Sequence, residues 1–293
     1  MRRLLVSILA FTSVAALAAH GDVTRMVATL RSLAEPLLGH GDAIAPRFDT
    51  FYAGMVEALP PQEHTERALE LAIDNYQGAA DYVVERAQTW RGQFKPSHAL
   101  DALLHAALNS RRIEVRMAAF ELSLAEYNLQ KTPAEIDHLL ARRASDPQGS
   151  GPWALWNISL IGARGGERER IYAILVDALR DTDETQRRWA VDALARFGGE
   201  EVVDPLLAIA AHDASSEVQE RAFCGLAQSG TLQLAERYRA VPGLLAIAED
   251  QDASAQQRTW VFQALREITE TYDVPEDVSA WRVALDRAGL LAG

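Results

Sequence analysis

The chain has 293 residues, 48% of them hydrophobic and 24% charged, with 18 glycines and 11 prolines, a globular composition that excludes a low-complexity or disordered protein. The formal net charge of −12 argues against the uniformly basic surface that nucleic-acid binding needs, so we expect no nucleic-acid partner. The single cysteine, Cys224, excludes an intramolecular disulfide.

The N-terminus has the order of charged, apolar and small residues that is typical of a secretory signal peptide. Arg2 and Arg3 precede an apolar run over 4–17, and Ala18 completes a small-residue cleavage motif. The alternative is a buried first helix. The run is shorter than the roughly 20 residues of a bilayer span. We therefore expect residues 1–18 to be removed, no stable membrane insertion afterwards, and a periplasmic or secreted protein.

Residues 19–95 are expected to be helical but do not follow the pattern of the rest of the chain. The stretches 23–38 and 48–59 are amphipathic, and a longer helical stretch runs over 62–90 with Gly78 as a kink or break. This region is either a degenerate pair of repeats or a cap. The cap interpretation is favoured because the end of a solenoid needs an atypical unit with a polar outer face.

From residue 96 to residue 274 the sequence repeats a short apolar motif. It ends in an aliphatic pair whose last members are separated by steps of 36, 35, 32 and 38 residues, namely Leu104, Leu140, Leu175, Leu207 and Leu245. A period in this range is typical of solenoids built from stacked helix pairs. We place the aliphatic pair on a first helix of each unit, helix A.

A second helix of each unit, helix B, carries an anchoring leucine 19 or 20 residues after the aliphatic pair. These leucines are preceded mostly by small residues, which permit close helix approach, and they are Leu160, Leu194, Leu226 and Leu265. The first unit is less regular and aligns on Leu122 or one residue later. No segment alternates with the period of a β-strand. The predicted fold is all-α, a right-handed α-solenoid of about five helix pairs with a helical N-terminal cap region.

Helix start and stop signals lie where this scheme needs them. Capping boxes are predicted from Thr132 and over 216–219 and 254–257. Gly198 and Gly230 are predicted to end B helices. Residues 275–293 are predicted to form a C-terminal capping helix in which Trp281 packs on the last repeat.

Two B-helix segments, RWAVDALARFGG over 188–199 and ERAFCGLAQSG over 220–230, resemble the second helix of short HEAT-like repeats. The variety is often grouped with the phycobilin lyase repeats, and the resemblance extends from about Ser97 to the C-terminus. It implies a scaffold or adaptor, with few enzymes among its members and no shared catalytic residue. It also implies layer-to-layer pairing of a turn Asp with a B-helix Arg, which Asp181 and Arg187 fit and Gln219 interrupts.

No catalytic residues, cofactor site or metal site are predicted. The strongest metal candidate is the set His98, Asp101 and His105, whose spacing places all three on one helix face. It lacks a recognised metal-binding motif, so a solvated polar stripe is the favoured interpretation.

The candidate partner-binding residues are Trp189, Arg221 and Trp260. They share one B-helix position, five residues before the anchoring leucine and about 140° from it around the helix. Trp and Arg are frequent energetic anchors of interfaces. The alternative is that the indoles pack between adjacent repeats.

The leading functional hypothesis is a non-catalytic extracytoplasmic scaffold that binds a protein or peptide partner along the concave face of the solenoid. The alternative, implied by the resemblance alone, is a lyase-like enzyme subunit or a cofactor chaperone. DNA binding is disfavoured by the acidity of the chain and by the export signal.

Overall fold

The computed structural model describes residues 45–291, so the predicted signal peptide and the amphipathic stretch 23–38 lie outside the described residues. Within the described range the regular structure is helical apart from one isolated β-bridge. The helices are α1 Thr50–Glu57, α2 Pro61–Ile73, α3 Ala79–Trp90, α4 His98–Leu108, α5 Ile113–Glu126, α6 Pro133–Ser145, α7 Gly151–Ala163, α8 Arg168–Ala178, α9 Glu184–Phe197, α10 Val203–His212, α11 Ser216–Ala227, α12 Leu234–Glu249, α13 Ala255–Thr269 and α14 Val278–Arg287. None of these helices is long and apolar enough to cross a membrane.

Consecutive helices pack in pairs, and the pairs stack. The second members α3, α5, α7, α9, α11 and α13 each pack against the next, which makes one continuous layer of B helices. The first members of the pairs are the A helices. α2 packs on α4, and α10, α12 and α14 pack in sequence. The all-α solenoid is thereby confirmed. The pair α2 and α3 stacks on the pair α4 and α5 in the same way as later pairs, with one contact between A helices and one between B helices.

The anchoring leucines hold the layers together. Leu160, Leu194, Leu226 and Leu265 have no exposed surface. Small neighbours make this possible, since a Cβ on Gly225 would lie only 3.1 Å from the Cβ of Ala195 in the preceding B helix. The periodic apolar positions therefore form the core of the stack, as the spacing predicts.

Helix α5 joins the two hydrophobic clusters of the described chain. Val115 and Leu122 belong to the N-terminal cluster, whereas Phe120 and Leu124 belong to the cluster that runs through the later repeats. A helix that is buried on opposite sides needs apolar residues around most of its circumference. This explains why the sequence of α5 carries no clear amphipathic stripe.

The turns between paired helices repeat one hydrogen-bond pattern. The Oδ1 atoms of Asp181, Asp213 and Asp250 each accept a backbone N–H two residues later, at 2.8–3.0 Å. A B-helix side chain then donates to the backbone carbonyl of the same aspartate, from Arg187 at 3.0 Å and from Gln219 at 2.6 Å. The expected pairing of Arg187 with Asp181 is corrected in one respect, because the carboxylate that Arg187 contacts is that of Asp213 in the next turn.

The predicted caps occur with one shift of register. Ser254 forms the predicted capping box of α13. Thr132 caps α6, but the carboxylate of Glu135 accepts from the N–H of Gln130 instead of that of Thr132, so the predicted box is not closed there. The N-cap of α11 is Ser215 rather than Ser216, and Gln219 is therefore free to contact the Asp213 carbonyl instead of closing a capping box. Gly198 and Gly230 have the positive φ angles of 64° and 74° expected where B helices end.

Two predicted features at the ends of the described region are also present in the structure. Gly78, with a φ of 90°, is the N-cap of α3 and separates it from α2. At the other end, Trp281 is fully buried in α14, which packs on α12.

Candidate functional site

The three candidate partner-binding residues have different environments in the structure. Arg221 is exposed, whereas Trp189 and Trp260 are half-buried. Trp189 lies edge-to-face against Trp156 of the preceding B helix, with ring centroids 6.4 Å apart. Trp260 packs against Phe223 of the preceding B helix in a tilted arrangement, with ring centroids 5.9 Å apart. Each indole thus packs against the preceding B helix and keeps part of its surface accessible.

A cavity of about 650 Å³ opens beside Arg221 on the B-helix layer. Residues of α5, α9, α11, α12 and α13 line it, together with the loops that follow α4, α11 and α13. We call this side of the layer the inner face. The volume lies within the range of about 300–1,000 Å³ that is usual for ligand sites. Trp260 lines a small adjoining cleft that shares Cys224 and Glu267 with the cavity.

The cavity exists because the stack curves inward. Arg116, in the first turn of α5, donates a hydrogen bond to the backbone carbonyl of Gly230, which lies 114 residues later, after α11. The loop that carries Gly230 lies on α9, because the N–H of Thr231 donates to the carbonyl of Ala195 at 3.0 Å. Two helix-to-helix steps separate α5 from α9, about 16–20 Å in a flat layer. An arginine side chain cannot span that distance, so the inner face must be concave here.

Five arginines line the cavity, and two of them are buried with hydrogen bonds only to backbone carbonyls. Arg237 donates to the carbonyls of Leu226 and Leu232, each at 3.0 Å, and of Ser229 at 3.2 Å. Arg116 donates to the carbonyl of Gly230 and to one in the α4–α5 loop. Among the described residues, no carboxylate forms an ion pair with either guanidinium.

Burial lowers the pKa of both groups. The pKa of Arg237 falls to about 10, mainly through burial and secondarily through the charge of Arg116. Burial likewise lowers the pKa of Arg116. Both side chains remain cationic near neutral pH, so the cavity holds permanent positive charge.

Arg196 and Arg221 share a single carboxylate. Arg196 lies over the ring of Trp156, 3.8 Å from the guanidinium carbon to the ring centroid, and 3.6 Å from Oδ1 of Asp192. Nε of Arg221 lies 3.8 Å from the same oxygen. Burial lowers the pKa of Arg196 to about 10. Trp189 is thus connected to Arg221 through Trp156, Arg196 and Asp192, whereas Trp260 contacts Phe223.

The charges around the cavity oppose the charge of the whole chain. The lining contains five arginines and three carboxylates, Asp192, Glu267 and Glu270, which leaves an excess of two positive charges. The chain as a whole carries −12. A local positive concavity on an acidic protein is suited to attract and hold a small anionic group.

The chemistry of the cavity favours binding over catalysis. Arginine does not exchange protons readily at neutral pH. Cys224 also lines the cavity, but burial, and secondarily the charge of Glu220, raise the pKa of its thiol and so disfavour the nucleophilic thiolate. Elsewhere, His98, Asp101 and His105 lie exposed on α4. In the described part of the chain, no group of three His, Cys, Asp or Glu residues is placed to hold a metal ion.

Comparison with known proteins finds a family match for the central part of the chain. Residues 153–227, from α7 to α11, match the family of HEAT repeats. A crystal structure of an engineered protein from the Northeast Structural Genomics Consortium is 19% identical, covers 70% of this chain and 96% of that one, and has a TM-score of 0.30. No curated protein matches the chain. The central part of the chain, which carries Trp189 and Arg221, is thus similar to HEAT repeats.

Proposed function

We propose that this protein is a non-catalytic extracytoplasmic scaffold that binds a protein or peptide partner through the inner face of its helix stack. The extracytoplasmic location rests on the signal-peptide pattern of residues 1–18. HEAT repeats form extended concave surfaces that are suited to hold macromolecular partners. Export predicts a mature protein that begins at Ala19, which an intact mass measured on the secreted or periplasmic species checks directly.

The observation that carries the proposal is the grouping of accessible Arg and Trp side chains around one concavity. Arg221 lines the cavity and Trp260 lines the adjoining cleft. Interfaces obtain most of their binding energy from a few residues, often Trp, Tyr and Arg, near the centre of the contact surface. A partner segment that occupies both the cavity and the adjoining cleft would contact both residues.

Site-specific photo-crosslinking in cells tests this proposal. A photoreactive phenylalanine derivative replaces Gln263, which is exposed and lines the cleft beside Trp260. The matched control replaces Ala173, which is exposed on helix α8 of the A-helix layer. We expect a discrete crosslinked partner protein at position 263 and none at position 173. Equal crosslinking at both positions, or no product at position 263, would count against the inner face as the binding surface.

A further inference from the structure

We propose that the cavity recognises an acidic segment of the partner, with about two carboxylates held by Arg116, Arg196, Arg221 and Arg237. This inference rests on the proposed function and specifies the chemistry of the partner. The excess of two positive charges among the lining residues sets the number of carboxylates. Paired carboxylate–guanidinium contacts are among the stronger polar interactions in proteins.

The first argument concerns the guanidiniums that lack a carboxylate. A buried charge is normally paired, because its loss of hydration is otherwise only partly offset. Among the described residues, Arg237 and Arg116 donate hydrogen bonds only to backbone carbonyls, and Arg221 shares Asp192 with Arg196. The arginines that line the cavity can therefore pair with additional carboxylates from a bound partner.

The second argument concerns preorganisation. Three backbone carbonyls fix Arg237, and Arg116 is fixed by carbonyls on either side of the cavity. The guanidinium of Arg196 stacks on the ring of Trp156, which limits its movement. Side chains that are already ordered lose little conformational entropy when they bind a ligand. The cavity can thus hold carboxylates without first ordering its long side chains.

The third argument distinguishes an acidic peptide from a nucleic acid. Duplex DNA carries one charge per about 1.7 Å, so it would extend well beyond the two excess charges of the cavity and meet a chain of net charge −12. A peptide concentrates a pair of carboxylates in one place. Apolar side chains beside them would contact the apolar part of the lining, formed by Leu108, Phe120, Leu232, Leu234 and Tyr272.

Calorimetric titration of the mature chain with synthetic hexapeptides tests the inference. The probe is N-acetyl-Ala-Leu-Glu-Glu-Leu-Ala-amide, and the reference replaces both Glu with Gln. We expect the Glu peptide to bind at least about tenfold more tightly, since each charged hydrogen bond contributes that order of affinity. A third peptide keeps Gln but has a free C-terminal carboxylate. If it binds as tightly as the Glu peptide, the carboxylate source is a chain terminus rather than side chains.

A matched pair of variants locates the binding. Arg221→Ala removes a cavity arginine whose side chain is 47% exposed, and Arg188→Ala removes an arginine of α9 whose side chain is 41% exposed and which pairs with Glu217. Because both residues are accessible, both variants should fold. We expect Arg221→Ala to weaken binding of the Glu peptide about tenfold and Arg188→Ala to leave it unchanged.

Three results would overturn the inference: equal binding of the Glu and Gln peptides, equal weakening by the two variants, or tighter binding of a twelve-residue oligothymidylate than of the Glu peptide. The proposed function fails separately. A partner crosslinked at Gln263 together with an unbound Glu peptide overturns only the acidic specificity. A bound Glu peptide with no crosslinked partner counts only against the scaffold.

Discussion

Arg187 of α9 holds Asp213, in the turn of the following repeat, through two hydrogen bonds. Nε lies 2.8 Å from Oδ2 and Nη2 lies 3.0 Å from Oδ1. The Asp213 side chain is only 4% exposed. Burial tends to raise the pKa of Asp213, but hydrogen bonds from Arg187 and Ser215 and the charge of Arg187 together lower it.

This ion pair connects successive repeats, so its loss should destabilise the stack. We expect Arg187→Ala to reduce the free energy of unfolding by about 2–3 kcal/mol, because it leaves a buried carboxylate without its partner. The neighbouring Arg188→Ala should cost less than about 0.5 kcal/mol, because its pair with Glu217 is exposed. Urea unfolding measures both. Equal effects would show that the Asp213 pair contributes no more than a surface pair.

The same pair predicts a pH dependence. The pKa of Asp213 is lower in the folded protein than its ordinary value of 3.8. Its stabilising contribution is therefore complete above pH 3.8 and is lost as the pH falls through the folded-state pKa. Acid titration of Arg187→Ala should lack this part of the acid transition, and an unchanged acid profile would contradict the assignment.

The anchoring leucines provide a test of the layered core. Leu194→Ala and Leu226→Ala should each destabilise the protein by about 2–5 kcal/mol, the usual cost of a cavity at a buried leucine. Leu234 is 54% exposed, so Leu234→Ala is the matched control and should cost less than about 0.5 kcal/mol. Hydrogen exchange should show the loss of protection concentrated in adjacent repeats. Uniform loss along the chain would contradict nearest-neighbour stacking.

Alanine substitution at two helical glycines is expected to change the stability of the protein in opposite directions. A Cβ at Gly162 would lie 2.6 Å from the Phe197 ring, so Gly162→Ala should cost about 1–3 kcal/mol by forcing α7 and α9 apart. Gly54 in α1 has nothing within 4 Å, so Gly54→Ala should stabilise by about 0.5–1 kcal/mol. Thermal unfolding distinguishes the two signs. A stabilising Gly162→Ala would mean that the close approach is not required.

Glu126 predicts a second pH effect, of the opposite sign. Burial, with a smaller contribution from the charge of Asp101, raises its pKa from 4.5 to about 7, and its Oε1 has no hydrogen-bond partner among the described residues. The folded state thus retains a proton that the unfolded state loses. Stability should fall as the pH rises from about 4.5 to about 7. Glu126→Gln should flatten this slope in unfolding measured across that range, and an unaltered slope would refute the assignment.

The buried core positions could be predicted from the sequence, because they depend on contacts that each repeat makes with its neighbours. Leu194 and Leu226 are buried because each layer repeats the contacts of the one before it, and that periodicity is visible in the spacing. The angular position of Trp189 and Trp260 likewise placed them away from the centre of the core, and both are half-buried. The packing of Trp189 on Trp156 cannot be predicted from this position, because it depends on how far the two helices are shifted relative to each other.

The cavity could not be predicted, because it depends on curvature accumulated over several layers. Arg116 and Arg237 are separated by 121 positions, and no local pattern indicates that they meet. Asp192 and Arg196 lie four residues apart on one helix, a spacing that does not indicate the further contact of Asp192 with Arg221. Only the inward curve recorded by the contact between Arg116 and Gly230 brings these residues around one concavity.

The affinity of the partner crosslinked at Gln263 for Trp260→Ala tests the central claim most directly. Unfolding of the same preparation is measured alongside, because Trp260 is half-buried and its truncation removes some packing on Phe223. The inner-face account predicts that Kd rises by about thirtyfold or more, equivalent to about 2 kcal/mol, while the variant remains folded. An unchanged Kd in a folded but destabilised variant would show that Trp260 only packs between repeats and would contradict the account.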